Sequence, residues 1–174
     1  MKKTVKTRIR NRELAPFTKR ELLLNGIPGL FFPCSFESDY SAIFYTDGYV
    51  NINDAGVLSS CDILDVLGLL FHKMDEAENF LFERGSYLVS CDTVFIRYGE
   101  KRISDVKMIY AADEYGRCDN IKELCLCMKS FTDVEGEAYL DNICSFIDSS
   151  NPTYAMLLKN IEQAKQEIHI FEKY

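Results

Sequence analysis

No long uncharged apolar run occurs in this 174-residue chain, which excludes a transmembrane helix. The opening residues, MKKTVKTRIRNR, are basic but lead into no apolar segment, so no secretory signal is expected. No C-x-x-C occurs among the seven cysteines. Cys125 and Cys127 are one residue apart, which suits neither a zinc knuckle nor a redox motif. An odd set of thiols without such spacing is expected to be reduced, packed in a core and cytoplasmic. There is no H-E-x-x-H for a metal, no G-x-S-x-G for a serine nucleophile and no G-x-G-x-x-G over a phosphate. The sequence therefore nominates no catalytic, cofactor-binding or metal-binding residue, and no cofactor is expected. Repeats, low-complexity tracts and a separating linker are also lacking, so residues 1–174 read as a single domain.

What is present is ordinary for a globular domain: 47% hydrophobic and 27% charged residues, in a chain long enough to bury a sizeable core. Charge is segregated. Residues 1–20 hold Lys2, Lys3, Lys6, Arg8, Arg10, Arg12, Lys19 and Arg20 against Glu13, a net +7. With −7 over the whole chain, the remainder carries −14. Such an acidic body repels phosphates, so DNA is not an expected partner. The basic arm reads as an edge strand, Thr4–Arg10, with Val5 and Ile9 on one face and Lys and Arg guarding the edge. A contact with an acidic protein, RNA or an anionic membrane is the other reading. Self-association, arm against acidic body, competes with a protein partner.

The pattern changes near Gly56. Residues 1–56 are strand-like and rich in turns, with short apolar runs at Leu22–Leu24 and Leu30–Phe32. Ala42–Tyr45 reads as a strand closed by Asp47-Gly48, with Tyr49–Ile52 returning beside it as a hairpin. Residues 57–174 are mainly helical. Ser59 and Asp62 form a capping box ahead of a long helix, Cys61–Arg84, with Gly85 as its stop. Val94–Arg97 and Val106–Ile109 form a second hairpin. Helices follow from Asp119 as N-cap, over Glu135–Ile147, and from Asn151 as N-cap with Pro152 at the first helical position. Ile63, Leu67, Leu70, Phe71, Met74, Val94, Ile96, Ile109, Leu124, Tyr139, Ile143, Leu157 and Ile161 are the expected core. The fold class is thus α+β: a small N-terminal antiparallel sheet, then a helical subdomain with a hairpin beside it.

NGIPGLFFPC, IFYTDGY, SSCDILDVLGLLF and SYLVSCDTVFI, in that order, resemble an uncharacterised bacterial family. Its kinase-like domain often precedes a forkhead-associated domain. It is similar in plan to the pseudokinase domain of EssB-type proteins in type VII secretion. The resemblance covers most of residues 20–165 and implies a degenerate protein-kinase-like fold. It also implies a catalytically silent module that binds protein, in bacterial signalling or in secretion or cell-envelope assembly. Residues 1–174 are not expected to include a forkhead-associated segment, so phosphothreonine reading is not carried over.

The chemistry of a kinase is not in place. Transfer needs a catalytic Asp, a metal-binding Asn and the Asp of D-F-G. FERGSYLVSCDT stands where H-R-D-x-x-x-x-N is required, and Tyr110, Ala111 and Ala112 stand where D-F-G is required. Asp92 and Asp113 are the neighbouring carboxylates, and both read as turn residues outside strands. His72 reads as an edge-of-core side chain of the long helix, and His169 lies in the last helix. Asp75, Glu76, Glu78 and Glu83 read as a solvated acidic face. The alternative function is a small cytosolic enzyme using a Cys–His or carboxylate pair that spacing does not reveal.

Overall fold

The computed structural model describes residues 3–9, 14–24, 29–79, 87–111 and 120–171. Over these residues the chain is mixed α and β, with two three-stranded antiparallel sheets and five helices. The first sheet holds β1 (Thr4–Arg8), β2 (Cys34–Ser38) and β3 (Ser41–Tyr45) in the order β1-β3-β2. β1 is an edge strand, as its charge pattern implied. Lys6 and Arg8 face solvent, while Val5 is half-buried and Ile9 buried.

Helix α1 (Pro16–Leu24) connects β1 to β2. This corrects the strand-like reading of Leu22–Leu24. Pro16 is suited to a first helical turn, where its missing N–H is no loss, and the residues after it are mostly good helix formers. Leu22 is buried whereas Leu23 and Leu24 are exposed, as a helix crossing a core edge requires.

The second sheet holds β4 (Val50–Asn51), β5 (Val94–Tyr98) and β6 (Ile103–Met108) in the order β4-β5-β6. The β5–β6 hairpin lies where the sequence put it. The expected return of Tyr49–Ile52 along Ala42–Tyr45 does not occur, because β4 pairs with β5 instead. The reason is topological: β3 is the central strand of its sheet, and β1 and β2 already occupy both of its edges. The chain turns at Gly48, whose φ of +78° is left-handed, and leaves for the second sheet. Leu30–Phe32 runs along the far edge of β6. Phe32 N donates to Met108 O (2.9 Å) and Met108 N to Leu30 O (2.7 Å). This segment and the Thr46–Tyr49 turn join the two sheets.

Helix α2 (Ser60–Glu78) organises the rest. Its capping box is real: Asp62 N donates to Ser59 Oγ (3.2 Å) and Ser59 N to Asp62 Oδ2 (3.1 Å). The described helix closes at Asn79, and residues 80–84 of the expected Cys61–Arg84 helix lie outside the described residues. Asn79 Nδ2 donates to the Asp75 carbonyl, the local competition that makes asparagine a poor helix continuer. Leu81, Glu83 and Gly85 lie outside the described residues. Helices α3 (Asn120–Met128), α4 (Val134–Ser150) and α5 (Tyr154–Phe171) follow. Asp119, the expected cap of α3, is outside the described residues. Asn151 does not cap the start of the last helix. It closes α4 in the left-handed region (φ 42°), its N–H donating to Ile147 O (3.1 Å). Thr153 caps α5 in its place, its Oγ1 accepting from Met156 N (3.3 Å). Asparagine suits both a helix start and a left-handed helix stop, so the residue type alone did not decide between them.

The expected core is buried together, with one correction. Tyr139 is only half-buried, at the edge of an open 320 Å³ groove between α2, α4 and α5. There it packs against the margin of the core. Gly136, in the first turn of α4, packs tightly. A Cβ there would lie 2.0 Å from Thr132 Oγ1, which is committed to the Leu58 carbonyl at 2.8 Å. Gly136→Ala is expected to destabilise the fold by about 1–3 kcal/mol. A thermal melt checks this, and an unchanged midpoint would show that Thr132 can turn aside freely.

Candidate functional site

The turn before β5, residues 88–93, is held by a dense set of hydrogen bonds. Thr93 is buried; its Oγ1 accepts from Ser90 N (2.9 Å) and lies 3.2 Å from the Leu88 carbonyl to which it donates. Asn51 Nδ2 reaches the carbonyls of Cys91, Asp92 and Val94 at 3.1, 3.1 and 3.2 Å. Asp92 is exposed and accepts from Asn53 Nδ2 (2.9 Å). It is a turn residue, as read from sequence. Asp113 and Ala112 lie outside the described residues.

After β6 comes Tyr110, buried among aromatic rings. Its ring meets Phe31 edge-on at 5.3 Å, and Phe31 meets Tyr87 at 5.1 Å. Burial raises the Tyr110 hydroxyl pKa. A second cluster fills the junction of the sheets. Phe32 contacts Tyr49 at 4.9 Å and Phe95 at 5.4 Å, both edge-on. Lys107 Nζ lies 5.9 Å from the centre of the Phe32 ring, and Arg97 lies 5.1 Å from that of Tyr49.

The charged centre beside these rings was not foreseen. Lys73 of α2 donates to Asp105 Oδ1 of β6 (2.5 Å) and to the Val106 carbonyl (2.7 Å). Tyr49 donates its hydroxyl to Asp105 Oδ2, and Arg97 adds a longer contact at 3.4 Å. Burial alone would raise the Asp105 carboxyl. Hydrogen bonds from Lys73 and Tyr49, with the Lys73 charge, outweigh it and hold the pKa below the usual value. Burial, then the Asp105 bond, raises Tyr49. Burial and the Lys73 charge lower Lys107, although Asp105 opposes this.

A second buried carboxylate lies on the neighbouring turns of α2. Asp65 accepts from Arg102 Nε (2.7 Å), from a terminal Arg102 nitrogen (3.0 Å) and from Lys165 Nζ of α5 (2.9 Å). These contacts tie α2, the hairpin tip and α5 together. One sequence signal pointed to it: Asp65 interrupts the apolar run Ile63-Leu64-Asp65-Val66-Leu67, and a carboxylate there needs a partner.

His72 is not at the core edge. Its side chain is 64% exposed and faces Glu76 across 3.6 Å. On α2 it follows Phe71 by one position, which carries it round to the solvent side. Glu76 and Glu78 are exposed and Asp75 is half-buried, so this part of the acidic face is largely solvated. The His169 side chain lies outside the described residues. None of the six described cysteines is in a disulfide, and Cys34, Cys91, Cys125 and Cys144 are buried. Among the described residues no three His, Cys, Asp or Glu side chains converge as a metal ion requires. No described helix is long and apolar enough to cross a membrane. No protein-family model matches this chain, and no curated protein matches its sequence.

Proposed function

We propose that the chain is a kinase-like module without phosphotransfer activity, acting by binding another protein in bacterial signalling or in secretion or cell-envelope assembly. The observation that carries this reading is Tyr110. It follows the second hairpin strand, where a kinase places the aspartate that holds magnesium, and it is packed edge-on against Phe31. A phenol in that place offers no carboxylate to a metal, and developing phosphate charge is left without its counter-ion. The order of parts supports the same plan: a strand with lysines, a helix, a hairpin, a long helix, an ordered turn and a second hairpin. Lys6 of β1 is engaged by Glu37 of β2 at 2.5 Å.

Incubation with magnesium and labelled ATP is expected to leave the protein and an added acceptor protein unlabelled. Millimolar nucleotide is expected to leave the melting temperature unchanged, since a ligand stabilises only the state it binds. Label transfer that disappears in Asp92→Asn would overturn the reading. The rival, a thiol–imidazole enzyme, draws no support from the solvent-facing His72.

The basic edge strand is the proposed charged element of the docking surface. Because Ile9 is buried, deleting the arm would damage the fold, so charge reversal is the cleaner probe. Lys6→Glu with Arg8→Glu alters exposed positions only and should cost about 1 kcal/mol or less in stability. The double variant is expected to weaken partner capture or self-association at low salt, and sedimentation with and without salt measures the latter. Identical behaviour of both proteins would leave the strand a solubilising edge.

A further inference from the structure

Among the described residues, the sheet edges differ in what they offer another chain. β6 is lined along its far edge by Leu30–Phe32. β4 is two residues long. β2 carries a register shift between Phe36 and Ser38, and such a bulge breaks up an edge. β1 pairs with β3 over all of Thr4–Arg8 without a shift. Bonds at either end of β1 fix which of its backbone groups are used. Thr46 N donates to Lys3 O and Ile9 N to Tyr40 O, each at 3.0 Å. Antiparallel ladders alternate, so Lys3, Val5, Thr7 and Ile9 turn their N–H and C=O toward β3. β3 agrees: Tyr45 N points the other way and donates to Pro33 O (3.1 Å), beside β2. The N–H and C=O groups of Thr4, Lys6 and Arg8 therefore point away from the sheet, and no described residue bonds them. Such a row is a template for one more strand. The side chains of the same three residues are exposed.

Charge selects the occupant. Side chains directly opposite each other on paired strands lie about 5 Å apart. A second copy laid antiparallel about Lys6 sets Lys6 against Lys6, and like charges so placed are destabilising. A strand with glutamate or aspartate at alternate positions meets Lys6 and Arg8 with the opposite sign. Glu37 holds Lys6 at 2.5 Å, but both side chains are well exposed, so an incoming carboxylate can exchange with it. No described carboxylate pairs with Arg8. Lys2, Lys3, Arg10 and Arg12 extend the positive run in sequence. We infer that β1 accepts an acidic, extended segment of a partner protein as an added strand, which rests on the docking role proposed for β1 above and names the form of its partner. Main-chain bonds hold the segment, and its carboxylates set the register.

The test uses the full chain and a blocked peptide of about seven residues that alternates glutamate with valine. At low salt and millimolar peptide, amide exchange followed by NMR is expected to slow at Thr4, Lys6 and Arg8 by about threefold or more, the factor reached when peptide is at about twice its Kd. The same peptide with alternate amides N-methylated keeps its charge and loses its donors, and should protect none of the three. Lys6→Ala keeps the outward N–H at its position and should still show slowing at Thr4 and Arg8. Lys6→Pro removes that N–H and should show none, while folding, because proline is tolerated where an edge N–H faces solvent. The parent measurement needs no variant, so a folding defect in either leaves it readable. No slowing at these amides, or equal slowing with the N-methylated peptide, would overturn strand addition. The docking role of β1 is then judged separately by Lys6→Glu with Arg8→Glu. Slowing that grows with protein concentration in the absence of peptide would assign the edge to a second copy and overturn the choice of occupant.

Discussion

Replacing Leu67 or Leu70 with alanine is expected to cost about 2–5 kcal/mol of stability. Both side chains are fully buried on α2. The helix packs against β6, α4 and α5 at once, so a hole there is shared by three neighbours and none can close it alone. Domains of this kind are stable by only about 5–15 kcal/mol in total, so one deletion removes a large fraction. Urea unfolding measures the loss. His72→Ala, on the exposed side of the same helix, should stay within about 0.5 kcal/mol of the parent. Equal midpoints for Leu67→Ala, Leu70→Ala and the parent would show that α2 is peripheral.

Asp105→Asn should cost about 3 kcal/mol near neutral pH, because breaking a largely buried pair leaves the Lys73 charge without its counter-ion. Lys73 and Asp105 are each only 17% exposed, so water replaces little of what is lost. The pH dependence has a definite sign. The folded-state pKa of Asp105 lies below its ordinary value of 3.8. Its contribution is therefore fully present above that value and is lost as pH falls through the folded pKa. The gap between the parent and Asp105→Asn should be widest near neutrality and narrow below about pH 4. Denaturant midpoints across that range check it. A gap independent of pH would assign the loss to packing and not to charge.

Local signals carried far along α2 and the second hairpin. The Ser59–Asp62 capping box, the helical spacing from Ile63 to Met74 and the β-rich runs around Tyr98–Lys101 are short-range features. A few neighbouring residues decide them, so they are readable in order along the chain. Other assignments depended on partners far away. Tyr49–Ile52 has strand character, but its partner was settled by which strand still had an open edge. Leu22–Leu24 is apolar whether strand or helix, and only its one-sided burial distinguishes them. His72 and Tyr139 occupy the margins of helices, where a single position of rotation exchanges core for solvent.

The sequence by itself determined the α+β class, the central helix with its cap and twelve of the thirteen residues it expected in the core. These follow from periodicity, capping chemistry and residue identity, which act within a few positions. Tertiary structure alone decided that Lys73 meets Asp105 and that Asp65 draws in Arg102 and Lys165. Each of these contacts joins side chains 32 to 100 positions apart. Charge pairing depends on distances of a few ångströms, and no local pattern encodes the loop closures that create it.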